Sequence, residues 1–128
     1  SSTQLAELND ELNGFYFITD WPTSLKPFYI KPNDQNNEIS ESFDLMYGST
    51  ELSSGGSRMS SRKELTKRIS ENGLNPNSFE YHLKVFDHGM PPHAGFGLGL
   101  ERFLMSITNR ENVRDVTSFP RDQFHLIP

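Results

Sequence analysis

The segment Gly95-Phe96-Gly97-Leu98-Gly99 restricts this chain more than any other, because glycine at alternate strand positions strips every side chain from one face. Two readings fit a bare face: a flat ligand lies on it, or another strand or helix packs closely against it. The apolar run from Ala94 to Gly99 leads into Leu100, Phe103, Leu104 and Ile107, which share one helical face. The spacing is not the dinucleotide-binding fingerprint, which needs a further glycine where Arg102 stands and a parallel strand unit around it.

Upstream, Leu5, Leu8 and Leu12 fall at helical spacing before Gly14, and the aromatic, β-branched run Phe15 to Thr19 predicts a strand ended by Trp21-Pro22. Residues 32–41 are rich in Asn, Asp, Gln and Glu and read as a solvated loop. Phe43 to Tyr47 and Glu51 to Ser53 flank Gly48-Ser49, which predicts an antiparallel hairpin whose second strand runs on into Ser54-Gly55-Gly56-Ser57. Ser61 with Glu64 forms a capping-box pattern ahead of Leu65 and Ile69, predicting a helix that ends near Gly73. A second helix is expected from Asn77 to Gly89, with Phe79, Leu83 and Phe86 on one face and Pro91-Pro92 beyond its end. Strand, hairpin, two helices, strand, helix, with no internal repeat, predicts an α+β fold with a mostly antiparallel β-sheet flanked by helices.

A length of 128 residues suits one domain, but the hydrophobic fraction of 34% is low for a free-standing one, where about 45–50% with glycine is usual, so some natural packing partners are expected to lie elsewhere. A net charge of -5 argues against direct binding of a phosphate backbone by this chain. The absence of a long apolar run or basic leader gives a cytoplasmic, non-membrane expectation, and the lack of cysteine excludes disulfides and thiolate metal sites.

Arg102 opens the helix after the glycine strand, where its planar cation opposes the helix dipole; it is either a solvated surface arginine or a cation over a nucleotide on the bare face. Glu51-Leu52-Ser53-Ser54-Gly55-Gly56-Ser57-Arg58 is a second constellation. Strand alternation puts Glu51 and Ser54 on opposite faces, so a joint site requires a bulge or bend near Gly55-Gly56. Given that bend, their oxygens suit Mg²⁺ held with substrate phosphates, and Arg58 suits a bidentate grip on a small carboxylate; the plainer reading is a polar strand end. His82, His88, His93 and His125 lack metal-ligand spacing, and His93 reads as a hydrogen-bonding loop residue beside the site.

Together these strings resemble class II aminoacyl-tRNA synthetases: GLGLER at 97–102 looks like their motif 3, and ELSSGGSR at 51–58 like the preceding strand of the aspartyl/asparaginyl/lysyl subgroup. FYFITDWP at 15–22, SFDLMY at 42–47, MPPHAG at 90–95 and FPRD at 119–122 are similar to the archaeal and eukaryotic aspartyl form, with Asp20, Ala94 and Asp122 favouring it over the asparaginyl form. Met59-Ser60 departs from the usual isoleucine and histidine, and Lys26 stands where an arginine is usual. The likeness starts near Leu5, so residues 1–128 read as the C-terminal part of a catalytic domain whose motifs 1 and 2 and anticodon-binding domain are expected upstream.

The resemblance implies Arg102 as the catalytic cation on ATP, with Glu51, Gly97, Gly99, Leu100 and Glu101 also at the nucleotide. It implies Glu51 and Ser54 at Mg²⁺, and Ser54, Arg58 and Tyr29 at the amino acid. The implied reaction joins aspartate to ATP as an adenylate and transfers it to tRNA, in a homodimeric parent enzyme. Rival expectations are an asparaginyl enzyme, a paralogue that makes asparagine, and a remnant that binds nucleotide or a partner without catalysis. As a fragment the chain is expected to be inactive alone.

Overall fold

The computed structural model describes residues 14–121 and 123. The expected helix over Leu5 to Leu12, Asp122 and His125 lie outside them. Four strands, β1 (Phe15–Thr19), β2 (Ser42–Tyr47), β3 (Thr50–Ser57) and β4 (Ala94–Leu98), form an antiparallel sheet in the order β1-β2-β3-β4. Among the described residues three α-helices accompany it: α1 (Arg62–Glu71), α2 (Glu80–Lys84) and α3 (Leu100–Thr108). The α+β expectation therefore holds.

Among the described residues the backbone divides into two compact units, one of residues 14–17, 45–53 and 97–121, the other of Ile18–Asp44 and Ser54–Phe96. In the first unit Gly48 takes φ +56°, the left-handed conformation that closes the hairpin between β2 and β3, and its carbonyl accepts a 2.7 Å hydrogen bond from the Tyr16 hydroxyl. Phe15 packs on Tyr47 and Phe103 with ring centroids 4.8 and 6.2 Å apart. Gly99 is the N-cap of α3, and Asn109 ends the helix in the left-handed conformation, an αL cap. The expected apolar face is present, but none of its residues is fully buried and Leu100 and Ile107 are more than half exposed.

The second unit holds the hydrophobic core, in which Met59, Leu65, Ile69, Leu83 and Phe86 pack together with Phe28, Phe79 and Met90 at their edge. Helix α1 starts at Ser61, whose hydroxyl accepts from the Glu64 N–H, and stops before Gly73 at φ +73°. Where one continuous helix was expected from Asn77 to Gly89, α2 is five residues long, with 3₁₀ turns at Pro76–Phe79 and Val85–His88 on either side. The 3₁₀ turn Pro76–Phe79 that opens the segment is capped by Asn75 rather than Asn77, because Pro76 presets that turn and the Asn75 side chain accepts from the Asn77 N–H; α2 itself starts after Phe79 with no side-chain cap. Phe79, Leu83 and Phe86 still reach the core, so packing rather than helix continuity fixes the segment. The loop over residues 32–41 is solvated only in its middle, since Ser40 is fully buried and its hydroxyl donates to the Trp21 carbonyl.

Candidate active site

Strand β3 runs unbroken through Gly55 and Gly56, where the sequence reading asked for a bend. These glycines serve close strand packing instead: a Cβ on Gly55 would lie 2.5 Å from Phe96 Cβ and 2.7 Å from the Gly95 carbonyl oxygen, and one on Gly56 would collide with the Glu41 carbonyl oxygen. Both conditions allow only hydrogen at Cα.

In the first unit, Gly97 is different. A Cβ there would meet nothing within 4 Å, so its lack of a side chain leaves a bare strip that the protein itself does not fill. Gly99 donates its N–H to the Leu52 carbonyl at 2.8 Å and has the Arg102 side chain beside it, with Cδ 3.4 Å from a Cβ built at Gly99. Arg102 is exposed and donates from Nη1 to the Glu51 carbonyl oxygen at 2.9 Å. The Glu51 carboxylate is itself exposed, as are Leu100 and Glu101.

The second unit carries Arg58, Tyr29 and Ser54. Arg58 is half-buried: its guanidinium lies 4.6 Å from the Tyr29 ring centroid, and Nη2 donates to the Gly95 carbonyl at 3.3 Å. Its backbone N–H donates to the His93 carbonyl at 2.9 Å, while His93 Nδ1 sits 3.0 Å from the Pro91 carbonyl, which makes His93 a loop hydrogen-bonder beside Arg58. Among the described residues Arg58 has no carboxylate partner, whereas Arg62 binds Glu80 and Asp87, Lys31 binds Asp34 and Glu41, and Lys26 binds Asp44. Arg58 and Tyr29 line a cavity of about 480 Å³ with Phe28, Met59, His82 and Met90.

Lys26 and Asp44 form an ion pair with Nζ 2.7 and 2.9 Å from the two carboxylate oxygens, and Nζ also lies 3.4 Å from the Ser54 hydroxyl. The side chains are only 11% and 6% exposed. Lys26 keeps a cation at its position, and its partner Asp44 carried no role in the sequence expectations. The available signal was alternation in β2, which places Ser42, Asp44 and Met46 on its buried face.

Residues 3–123 match the family model described as tRNA synthetases class II (D, K and N). An aspartate–tRNA(Asp/Asn) ligase of Methanococcus vannielii is 50% identical over 121 residues, covering 94% of this chain and 28% of that protein. The Archaeoglobus fulgidus protein of the same name is 49% identical over all of this chain and 30% of its own length. Among solved structures, the aspartyl-tRNA synthetase of Entamoeba histolytica superposes with a TM-score of 0.90 at 33% identity, and asparaginyl-tRNA synthetase of Pyrococcus horikoshii complexed with asparaginyl-adenylate with 0.87 at 28%. Each is covered over 100% of this chain, and over 28% and 30% of the matched chain.

Proposed function

This chain belongs to the class II tRNA synthetases of the D, K and N group, and from that premise we propose that it is the C-terminal part of the catalytic domain of an aspartate–tRNA ligase. The observation that carries the amino-acid side of this reading is Arg58. A half-buried guanidinium bonded to a carbonyl, with no carboxylate partner among the described residues, keeps most of its donors for an acidic ligand. The relatives named as aspartate–tRNA ligases support aspartate as that ligand.

On this reading Arg58, Ser54 and Tyr29 form the amino-acid pocket. ATP lies along Gly97 and Gly99 beside Leu100, Glu101 and Arg102. The open space at Gly97 fits a flat purine or ribose, and Arg102, exposed and anchored through one N–H, has donors left for phosphate. Glu51 is the oxygen donor proposed for Mg²⁺, its exposed carboxylate suiting a hard cation shared with phosphates, whereas the unbroken run of β3 lacks the bend that Ser54 would need to share the ion. Bound Mg²⁺ would supply charge neutralisation at those phosphates. Arg58 orients the amino acid so that its α-carboxylate attacks the α-phosphate in line, and Arg102 stabilises the charge that gathers on the phosphoryl oxygens; no protein nucleophile is required.

The test is aspartate-dependent ATP–pyrophosphate exchange by the complete parent enzyme. Arg58→Leu is expected to raise the aspartate KM by at least a hundredfold with the ATP KM little changed, because a buried carboxylate left without its cation costs about 3–5 kcal/mol. Equal losses for ATP and aspartate would make Arg58 structural and remove the main support for this reading. The names of the relatives carry both tRNA(Asp) and tRNA(Asn), which favours charging of both by the parent; aminoacylation of each purified tRNA decides it. The proposal extends to a homodimeric, cytoplasmic enzyme, checked by light scattering and by fractionation.

A further inference from the structure

We propose that Tyr29 is a positioning residue that holds the Arg58 guanidinium in place through its ring face, rather than a group that binds the amino acid through its hydroxyl. The inference rests on the reading of Arg58 as the cation that grips the substrate's side-chain carboxylate.

The backbone first brings the two residues together. Ile30 and Arg58 form an antiparallel bridge, and the Met59 N–H donates to the Tyr29 carbonyl at 2.9 Å. Arg58 follows Gly55-Gly56, whose close strand contacts fix where the strand end delivers it. The side chain is then bounded by the Tyr29 ring, 4.6 Å from the guanidinium carbon, and by Gly95. A Cβ on Gly95 would stand 3.4 Å from Nη2 and 3.5 Å from Nε, so the guanidinium rests against bare backbone there while bonding the same residue's carbonyl. The ring in turn is braced: Phe28 meets it edge-on at 5.5 Å and meets Phe79 edge-on at 5.3 Å, and both phenylalanines pack on the hydrophobic core. Among the described residues the Tyr29 hydroxyl has no hydrogen-bond partner, so its placement comes from the ring. A long cation on a flexible stem becomes a fixed fork, which is what bidentate recognition of a carboxylate requires.

The chemistry that distinguishes positioning from contact is the electron density of the ring. A cation over an aromatic face is attracted by the ring quadrupole, and losing that attraction at a partly desolvated site corresponds to about a tenfold weakening of whatever the cation binds. Tyr29→Phe is therefore expected to keep the aspartate KM within about twofold, and Tyr29→Leu to raise it about tenfold, with the ATP KM unchanged in both. Introducing mono-, di- and trifluorinated phenylalanine at position 29 keeps the ring's shape and drains its face of charge. The aspartate KM is expected to climb step by step along that series, in pyrophosphate exchange with the whole protein. A loss with Tyr29→Phe as large as with Tyr29→Leu would make the hydroxyl a substrate contact. A flat fluorination series, or parallel rises in aspartate and ATP KM, would make the ring mere packing; either result overturns the proposal. Arg58→Leu, run alongside, separates the two levels: if it leaves the aspartate KM unchanged the underlying reading of Arg58 fails, whereas a steep rise with a flat series at position 29 removes Tyr29 alone.

Discussion

The Arg102 guanidinium reaches from the first turn of α3 to the backbone of β3, donating from Nη1 to the Glu51 carbonyl oxygen at 2.9 Å. One N–H is thus committed to the protein and four remain. The exposed hydrogen bond contributes little to stability, on the order of 0.5–1.5 kcal/mol, and it orients the remaining donors. Arg102→Ala is expected to lower the rate of pyrophosphate exchange ~10²–10³-fold, the usual cost of removing one preorganised charge. Thermal unfolding should shift only slightly. Arg102→Lys is expected to recover part of the rate, since it keeps the charge and loses the fork.

The glycines of β3 and β4 divide by what their missing side chains would meet. Gly97→Val should leave the unfolding free energy within about 0.5 kcal/mol of the parent, as a substitution that touches nothing does, and should weaken ATP binding severely. Gly55→Ala and Gly56→Ala should do the reverse, destabilising by about 1–3 kcal/mol or more because the added methyl meets backbone that cannot yield. Chemical denaturation and nucleotide titration on the same variants separate the two classes. Unchanged ATP affinity in Gly97→Val would remove the bare strip from the nucleotide site.

Local chemistry made much of the fold legible. The aromatic run Phe15–Thr19, the Gly48 turn and the Ser61 cap each act over a few residues, and each appears where the sequence places it. The alternate glycines at 95, 97 and 99 were legible as a bare face, but the sequence left open what fills it. The structure gives different answers by position, with Arg58 against Gly95, open space at Gly97 and Arg102 against Gly99. The Gly55-Gly56 pair was read as the place for the bend that a joint Glu51–Ser54 site would require. Their real constraint is neighbouring strands, Gly95-Phe96 for one and Glu41-Ser42 for the other, and contacts that distant in sequence leave no local mark. Asp44 was missed because its partner Lys26 is 18 residues away: alternation in SFDLMY puts Ser42, Asp44 and Met46 on one face but does not say which cation meets the carboxylate.

The Ser61 hydroxyl accepts from the Glu64 N–H at 3.4 Å and caps the helix that supplies Leu65 and Ile69 to the core. Ser61→Ala is expected to cost about 1 kcal/mol in unfolding free energy, and Ser61→Asp to cost much less, because a carboxylate also caps and suits the positive helix end. Catalytic constants should be unchanged in Ser61→Asp. Equal losses in the two variants would show that packing, not capping, fixes Ser61.

The Lys26–Asp44 pair sets a harder test, because its side chains are only 11% and 6% exposed and the cation also lies 5.0 Å from the Trp21 ring centroid. Two charges withdrawn from water repay their desolvation only through each other. Removing one leaves the other buried and uncompensated, at a cost of about 3–5 kcal/mol, while replacing both with apolar groups of similar volume is often near neutral. Lys26→Met and Asp44→Leu are each expected to destabilise by that amount, and the double variant to be more stable than either, giving a strongly favourable coupling energy in a double-mutant cycle followed by denaturant unfolding. The Nζ contact to Ser54 adds a functional arm. If the pair holds Ser54 for the amino acid, the double variant should fold well yet bind aspartate more weakly, with the ATP KM retained. Additive single effects would mean that the pair is solvated in solution and that Asp44 owes its place in β2 to something other than Lys26.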